Sequence, residues 1–199
     1  ACPSLKIIGR GGVGMDNIDV DYAREKGLHV INTPAASSAS VAELVFAHLY
    51  GGVRYLFDAN RQMPLEGDTK FKILKKNYAG GSELRGKTMG VIGFGRIGQE
   101  TAKIALGIGM NVVAHDPFMD KVEVKVILGN GAQVEVTIEM DSFESVLKKA
   151  DFISLHVPAQ DKPIIGHKEI SMMKKGSGLI NAARGGVIDE EALLEALDN

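Results

Sequence analysis

Short apolar runs alternate along the chain with longer amphipathic stretches, and this alternation predicts strands that are each followed by a helix. Many of the apolar runs end at glycine, the residue that allows a sharp turn into the next helix. The clearest pair is the run 88–92 and the stretch 97–108, in which Ile97, Thr101 and Ile104 share one helical face. We therefore predict an α/β fold with a doubly wound parallel sheet. The predicted strands are 5–8, 29–31, 88–92, 111–114, 133–136, 151–155 and 178–181, and the predicted helices are 20–26, 41–57, 97–108, 142–149 and a last one that opens at 189.

Polar residues interrupt this pattern and predict where helices begin and where the chain is irregular. Asp19 is placed to cap the helix that follows it, and Ser40 and Glu43 have the spacing of a capping box. The small polar stretch 35–39 has no apolar period and predicts a hinge between two packing units. The segment 58–81 is polar and rich in lysine, which predicts an irregular arm that is solvated or faces another subunit, with an anion site as the alternative.

The composition excludes several classes of protein. A formal net charge of -2 offers no basic surface for nucleic acid or for an anionic membrane. The most apolar predicted helix, 41–57, carries Glu43, His48 and Arg54, so we expect it inside a protein and not in a membrane. The single cysteine excludes an internal disulfide and a cysteine metal cluster, and the histidines show no metal-ligand spacing. With no segment typical of a signal peptide, these features favour a cytoplasmic protein without a metal.

The pattern G-x-G-x-x-G occurs twice, and its second copy has the surroundings of a dinucleotide site. A predicted strand leads into Gly93, Gly95 and Gly98, and a helix begins inside the pattern. Gly93 would allow the tight turn, Gly95 would let the backbone approach a pyrophosphate, and Gly98 would let helix and strand pack closely. Asp116 follows near the usual spacing of about 20 residues, where a carboxylate accepts hydrogen bonds from ribose hydroxyls and repels a 2′-phosphate. This context predicts NAD as the cofactor, against the alternative of a plain turn in an α/β sheet.

The first copy of the pattern, at 9–14, lacks these surroundings. No helix begins within it, and the strand after the next helix ends in Asn32 and not in an acid. A second dinucleotide site is therefore not expected. Its glycines instead expose the successive backbone N–H groups of Gly12, Val13 and Gly14, which could hold a carboxylate. A turn without a ligand is the alternative.

Two further side chains stand where parallel strands end, the edge at which such sheets bind ligands. Arg184 follows the strand 178–181 among small residues and could bind a carboxylate through two hydrogen bonds, with a surface or interdomain arginine as the alternative. His156 follows the strand 151–155. It has no acidic neighbour in sequence and Pro158 follows closely, so we predict that it lines or packs the crevice and does not carry a proton.

Six runs of residues together resemble the D-isomer-specific 2-hydroxyacid dehydrogenase family, in order and in spacing, over nearly the whole chain. The last of these runs contains Arg184 and is highly specific. Within the family the resemblance is greatest to the phosphoglycerate dehydrogenases, which oxidise 3-phosphoglycerate at the start of serine synthesis. The runs are GRGGVGMDNID (9–19), INTP (31–34), SVAEL (40–44), LRGKTMGVIGFGRIG (84–98), SLHVP (154–158) and INAARGGVIDE (180–190).

The resemblance implies roles for the residues at matching positions. Arg184 would bind the substrate carboxylate and polarise its carbonyl group, and the backbone of Gly12, Val13 and Gly14 would hold the same carboxylate. The family's proton-transferring histidine and its supporting glutamate follow the last helix, so both are expected beyond Asn199. The residues expected at the cofactor are Gly93, Gly95, Arg96, Ile97, Gly98 and Asp116, the loop His156, Val157 and Pro158, and Asn181, Ala182 and Ala183 beside the nicotinamide.

The resemblance also implies an organisation and an activity. A Rossmann-type NAD-binding domain would occupy 34–199, and 1–33 would be a remnant of a flavodoxin-like substrate domain. Two segments depart from the family pattern, since 121–140 is longer and 159–163 is shorter than usual. The whole enzyme would be a homodimer joined through the NAD-binding domain, acting on a small 2-hydroxy or 2-keto acid, whereas this chain alone is expected to bind dinucleotide weakly and to be inactive. The alternatives are a glyoxylate or hydroxypyruvate reductase, and an NAD-sensing, corepressor-like binding protein.

Overall fold

The computed structural model describes residue 2 and residues 4–198, and it contains a four-stranded parallel sheet, a smaller parallel pair of strands and one antiparallel hairpin. Strands and helices alternate along most of the chain, as predicted. The strands are β1 (Ile7–Arg10), β2 (His29–Asn32), β3 (Thr88–Ile92), β4 (Asn111–His115), β5 (Lys121–Ile127), β6 (Gln133–Glu139), β7 (Phe152–Leu155) and β8 (Gly178–Asn181). The helices are α1 (Val20–Glu25), α2 (Ser38–Val53), α3 (Leu56–Asn77), α4 (Arg96–Gly107), α5 (Phe143–Lys149), α6 (His167–Met172) and α7 (Glu190–Asp198).

The central sheet has the strand order β4-β3-β7-β8, and every neighbouring pair is parallel. The chain leaves β3 for β4 on one side and later returns to β7 on the other side. This reversal makes the carboxyl ends of β3 and β7 the switch point at which open α/β sheets bind ligands. The predicted doubly wound, Rossmann-type sheet is confirmed.

Alternate residues of β3 reach two hydrophobic cores on opposite faces of the sheet. Met89 and Val91 belong to the core that includes α2 and α4, whereas Ile92 belongs to the core that includes α5. Gly90 faces α5, where a Cβ atom would come within 2.9 Å of the Val146 side chain. The glycine in the middle of the strand therefore lets α5 pack directly on the sheet.

The strands β1 and β2 form a separate parallel pair joined by α1. The predicted cap of α1 is confirmed, because the Asp19 carboxylate accepts a hydrogen bond of 2.9 Å from the Tyr22 amide. β1 begins at Ile7, later than predicted, because the ladder with β2 starts where Ile7 lies opposite His29. The flavodoxin-like origin of this small unit stays a prediction.

The helix α2 begins earlier than predicted. Its first residue is Ser38, so the predicted capping box is wrong, because Ser40 and Glu43 already lie inside the helix. Ser37 stands at the N-cap and makes no side-chain capping bond. The helix lacks this capping bond and is instead stabilised by the packing of buried side chains such as Leu49. Among the described residues, those of α2 included, no helix is long and apolar enough to cross a membrane.

The segment 58–81 is mostly helical, and the prediction of an irregular arm is wrong. It belongs largely to α3, which contains Pro64 and has non-helical backbone angles at Lys70. Leu74 is the one buried residue described for this helix. The polar sequence lacks the apolar stripe from which a packed helix is predicted, and an internal proline argues against a helix.

The long connection 121–140 folds as the β5–β6 hairpin. The prediction placed a strand only at 133–136, so it found part of β6 and missed β5. Charged residues alternate with valine in both strands; Lys125 and Glu135 form an ion pair of 2.8 Å on the outer face, while Val124 is buried in the core. This alternation is the pattern of a strand with one buried face.

Asp151 connects the amino ends of β3 and β7. Its carboxylate allows a test of how the free energy of unfolding depends on pH. Oδ2 accepts a hydrogen bond of 2.8 Å from the Thr88 amide, and Oδ1 accepts one of 2.9 Å from Lys174. Burial alone would raise the pKa of Asp151, but these hydrogen bonds outweigh it and lower the pKa. We expect Asp151→Asn to reduce the free energy of unfolding by about 1 kcal/mol at neutral pH, measured by urea denaturation.

The pH dependence of this effect follows from the direction of the shift. A lowered pKa in the folded state stabilises the protein above the unfolded pKa of about 4, and the stabilisation is lost as the pH falls through the folded pKa. The exposed Asp68 on α3 provides the control, since Asp68→Asn removes the same charge without these partners. A difference between wild type and Asp151→Asn that stays constant down to acidic pH would contradict this account.

Candidate functional site

The glycine-rich turn after β3 lies against the loop after β7 at the switch point. Gly93 has a φ of 89°, and a Cβ atom there would lie 2.7 Å from the carbonyl oxygen of His156. Gly98 packs on the Gly93 carbonyl so closely that a Cβ atom would overlap it. Gly95 differs, because a Cβ atom there would meet no atom within 4 Å. Gly93 and Gly98 are needed for the local fold, whereas Gly95 leaves open space at the N-terminus of α4.

Asp116 closes one end of the groove above this turn, just after β4. Its carboxylate accepts hydrogen bonds from the Phe94 amide at 2.8 Å and the Phe118 amide at 3.0 Å. Asp116, Gly93 and Gly95 line a cavity of about 690 Å³. An apolar slot bordered by a carboxylate and a helix N-terminus suits the adenosine half of a dinucleotide. The apolar walls are formed by Ile92, Pro117, Phe118, Phe143 and Ile164.

His156 lies in the wall of this groove with Val157 and Pro158. Its Nε2 atom is 3.1 Å from the Thr101 hydroxyl and 3.0 Å from the Ser154 hydroxyl. Burial lowers the pKa of His156 to about 4, so the ring is neutral at physiological pH. A neutral ring whose Nε2 atom is enclosed by two hydroxyls is suited to packing and not to proton transfer.

A second cavity, of about 410 Å³, lies beside the groove and contains two arginines. The Nη1 atom of Arg184 donates to the Ala183 carbonyl at 2.8 Å, and its Nε atom lies 3.2 Å from Asp16 Oδ2 without the alignment of a hydrogen bond. The guanidinium rests on Gly14, where a Cβ atom would overlap it. Arg10 lines the same cavity. Two cations and one carboxylate, that of Asp16, face the cavity, and the excess of positive charge favours an anionic ligand.

Asn181 builds the turn that carries Arg184. Its amide group donates to the Arg184 carbonyl at 2.8 Å and accepts from the Ala183 amide at 3.0 Å. A third cavity, of about 270 Å³, is lined by Arg184 and Ala182 on one side and by Ile97 at the start of α4 on the other. This cavity joins the dinucleotide groove to the arginine cavity, so an extended ligand in the groove can meet a small anion at Arg184.

The three backbone amides expected to hold a carboxylate have different surroundings. The Gly12 amide donates to the Thr33 hydroxyl at 2.8 Å. The amides of Val13 and Gly14 have no hydrogen-bond partner among the described residues, and both residues line the arginine cavity. Asn32, which sequence reasoning missed as a site residue, orients this turn by donating to the Val13 carbonyl at 2.8 Å. Its position at the carboxyl end of a parallel strand was the signal that could have identified it.

All of the predicted site residues lie along this one crevice, in two groups. Three of them shape the turns and line none of the three cavities described above, namely Gly12, Gly98 and Asn181. The residues that line a cavity are Val13, Gly14, Gly93, Gly95, Arg96, Ile97, Asp116, His156, Val157, Pro158, Ala182, Ala183 and Arg184. Arg10 and Asp16 line the arginine cavity in addition and were not predicted. In the part of the chain that the structure describes, no cluster of three or more His, Cys, Asp or Glu side chains could hold a metal ion.

The sequence is similar to known proteins of one family. A family model for the D-isomer specific 2-hydroxyacid dehydrogenase NAD binding domain matches residues 46–199. The D-3-phosphoglycerate dehydrogenase of Methanocaldococcus jannaschii is 47% identical over 195 residues, which are 97% of this chain and 34% of that protein. The hydroxypyruvate reductase of Thermotoga maritima is 45% identical over 194 residues, 96% of this chain and 58% of that protein.

A solved structure shows the same fold with a cofactor. The D-lactate dehydrogenase from Aquifex aeolicus, complexed with NAD and lactic acid, superimposes with a TM-score of 0.73 and 35% identity. The match covers 98% of this chain and 55% of that one. The open cradle at Gly95 and the apolar slot beside Asp116 therefore fit an NAD-binding domain, and NAD is the cofactor of the family.

Alanine variants of Gly95 and Gly98 allow the effect on NADH binding to be separated from the effect on folding. We expect Gly95→Ala to fold like wild type but to bind NADH at least about tenfold more weakly, because the new methyl group takes the space of the pyrophosphate. Calorimetric titration with NADH measures this. Gly98→Ala is the matched variant, and its methyl group should instead lower the free energy of unfolding by roughly 1–3 kcal/mol. A well-folded Gly95→Ala variant with unchanged NADH affinity would show that the pyrophosphate lies elsewhere.

Proposed function

Because the chain belongs to the D-isomer-specific 2-hydroxyacid dehydrogenase family, we propose that it forms the NAD-binding part of an enzyme that transfers hydride between NAD and a D-2-hydroxy acid. The observation that carries the proposal is the position of Arg184, at the point where the cofactor groove opens into the arginine cavity. The chain spans 34% and 58% of the length of the two curated relatives described above. The activity is therefore proposed for the full-length protein that contains these residues.

The residues of this chain would bind and orient the reactants. When bound, the nicotinamide supplies the site that gives or accepts the hydride. Arg184 would bind the substrate carboxylate and polarise the adjacent carbonyl group, while the Val13 and Gly14 amides donate to the same carboxylate. His156 is neutral and enclosed, so the group that moves the hydroxyl proton is proposed to come from another part of the protein.

Asp116 would set the choice of NAD over NADP. Its carboxylate is fixed at the rim of the adenosine slot by two backbone amides, those of Phe94 and Phe118. Each carboxylate oxygen keeps a further lone pair for a ribose hydroxyl, and the negative charge repels a 2′-phosphate.

Among the substrates for which relatives are named, we propose a phosphorylated acid such as 3-phosphoglycerate, because the arginine cavity contains a second cation. Arg184 accounts for one carboxylate, and Arg10 supplies a second cation, which donates a hydrogen bond of 2.9 Å to the Gly11 carbonyl. A substrate with two anionic groups would engage both side chains. The relative from M. jannaschii is named for this substrate, and the one from T. maritima is named for hydroxypyruvate, which makes hydroxypyruvate or glyoxylate reduction the second candidate.

The proposal includes the organisation of the full-length protein. Residues 1–33, with the β1–β2 pair, would belong to the substrate domain, and 34–199 would be the NAD-binding domain. The exposed apolar side chains of α3, Leu65 and Phe71 among them, would be covered in a homodimer formed through this domain. We propose a cytoplasmic location, in keeping with the acidic net charge of -2 and the single cysteine.

Replacement of Arg184 tests the activity. We expect the full-length protein to reduce NAD with a D-2-hydroxy acid, and Arg184→Gln to lower kcat/KM by about two orders of magnitude, because loss of one partner of a desolvated charge pair costs on the order of 2–5 kcal/mol. NADH absorbance measures the rate. The exposed Arg61 on α3 gives the control, and Arg61→Gln should behave like wild type. Equal activity in both variants would refute the role of Arg184.

Arg10 tests the choice of substrate. We expect Arg10→Gln to raise the KM for 3-phosphoglycerate at least about tenfold and to leave the KM for D-glycerate, which lacks the phosphate, within about twofold. Arg24→Gln on α1 removes an exposed arginine outside the cavity and serves as the control. Equal effects on the two substrates would favour the hydroxypyruvate or glyoxylate alternative.

A further inference from the structure

Two buried hydroxyl groups and a partly buried imidazole connect α4, β7 and the loop that borders the dinucleotide groove. Thr101 in α4 and Ser154 in β7 are completely buried. The Nε2 atom of His156, the first residue of the loop, lies 3.0 Å from the Ser154 hydroxyl and 3.1 Å from the Thr101 hydroxyl. The Nδ1 atom of the same ring is buried and has no hydrogen-bond partner among the described residues.

The available protons decide which ring nitrogen is protonated. The Thr101 hydroxyl donates to the Ile97 carbonyl at 3.0 Å, so its proton is already used. With the proton on Nε2, the Ser154 hydroxyl would have no acceptor among the described residues, and Nδ1 would be a bare acceptor. With the proton on Nδ1, Ser154 donates to Nε2 and both hydroxyl protons have an acceptor, while the Thr101 oxygen lies 3.1 Å from the same nitrogen as a contact without a shared proton. Within the described part of the chain, the first arrangement leaves the Ser154 proton and Nδ1 unpaired, whereas the second leaves only the Nδ1–H group unpaired, so the count of unpaired groups favours the second.

The position of this ring is linked to the groove through the His156 backbone. The His156 amide donates to the Ile92 carbonyl at 2.8 Å. Its carbonyl packs on Gly93, where a Cβ atom would lie only 2.7 Å away. Val157 and Pro158 continue from this contact as the wall of the groove. If the ring left Ser154, the loop would shift against the glycine turn, and the width of the groove would change.

We infer that Ser154 is a positioning residue for dinucleotide binding: its hydroxyl holds His156 as the neutral Nδ1–H tautomer, and the held ring keeps the loop after β7 against the Gly93 turn. Ser154 is completely buried and acts through His156, without touching the cofactor. The inference rests on the proposed function only in taking this groove as the NAD site.

The tautomer is measured on the full-length protein without NADH. In the protein labelled with ¹⁵N-histidine, the nitrogen spectrum at neutral pH should show His156 with its proton on Nδ1, and His156→Gln assigns the signal by its loss. Ser154→Ala should change this signal, because Nε2 loses its donor. A proton on Nε2 in the wild type, or the same signal in Ser154→Ala, would overturn the inference.

The effect on binding is measured by titration with NADH. We expect Ser154→Ala to weaken NADH binding by about tenfold, because the loop without this hydrogen bond would occupy its binding position for only about a tenth of the time. Thr101→Val is the matched variant, since it removes a neighbouring hydroxyl that donates elsewhere, and it should stay within about twofold of wild type. The glutamine of His156→Gln can place its amide oxygen where Nε2 lies in the wild type and accept the Ser154 proton. This variant should therefore bind NADH more tightly than His156→Leu.

The outcomes separate this inference from the proposed function. If Ser154→Ala lowers the urea midpoint but leaves the NADH dissociation constant unchanged, Ser154 has only a structural role and the inference fails alone. A larger loss of affinity in Thr101→Val than in Ser154→Ala indicates the opposite tautomer and also overturns it. If the wild type itself binds no NADH, the proposed function fails, and the inference fails with it.

Discussion

The contact between the glycine turn after β3 and the loop after β7 is the constraint on which the site depends. The His156 carbonyl lies where a side chain on Gly93 would be, so the two loops meet backbone to backbone. This contact leaves the groove open on both sides of the switch point and places the start of α4 at its floor. Asp116 is then tied to the same turn through the Phe94 amide. Groove, helix N-terminus and carboxylate are thus held by one piece of backbone.

A close contact with a glycine also shapes the arginine cavity, but here the glycine contacts a side chain and not a backbone carbonyl. Gly14 lacks the Cβ atom that would overlap the Arg184 guanidinium, so the turn of the small β1–β2 unit and the end of the central sheet come together. The nearby Asp16 is two-thirds exposed, and an ion pair in that setting contributes little free energy because water screens it. In the proposed site, Arg184 would therefore exchange this partner for a substrate carboxylate at a small cost in free energy.

The parts predicted from the sequence are those determined by local physics. The strand 88–92 and the Asp19 cap each follow from a few adjacent residues, and the second glycine pattern is interpretable because its strand and helix flank it. The helix α3 was missed because only Leu74 is buried and Pro64 interrupts the pattern. Arg10 and Asp16 were missed because their importance comes from Arg184, which is far along the chain and reaches them only in the folded protein.

The distribution of charge divides the crevice into two chemical environments. Around the cofactor groove the buried polar side chains are neutral, since burial keeps His156 uncharged and its partners are hydroxyl groups. The cations Arg10 and Arg184 both lie at the other cavity. In the function proposed above, the neutral wall at His156 would favour neither charge state of the nicotinamide, whereas the two arginines would attract an anionic acid. The proposed site would therefore hold the cofactor by shape, backbone dipoles and the Asp116 carboxylate, and the substrate mainly by the charge of the arginines.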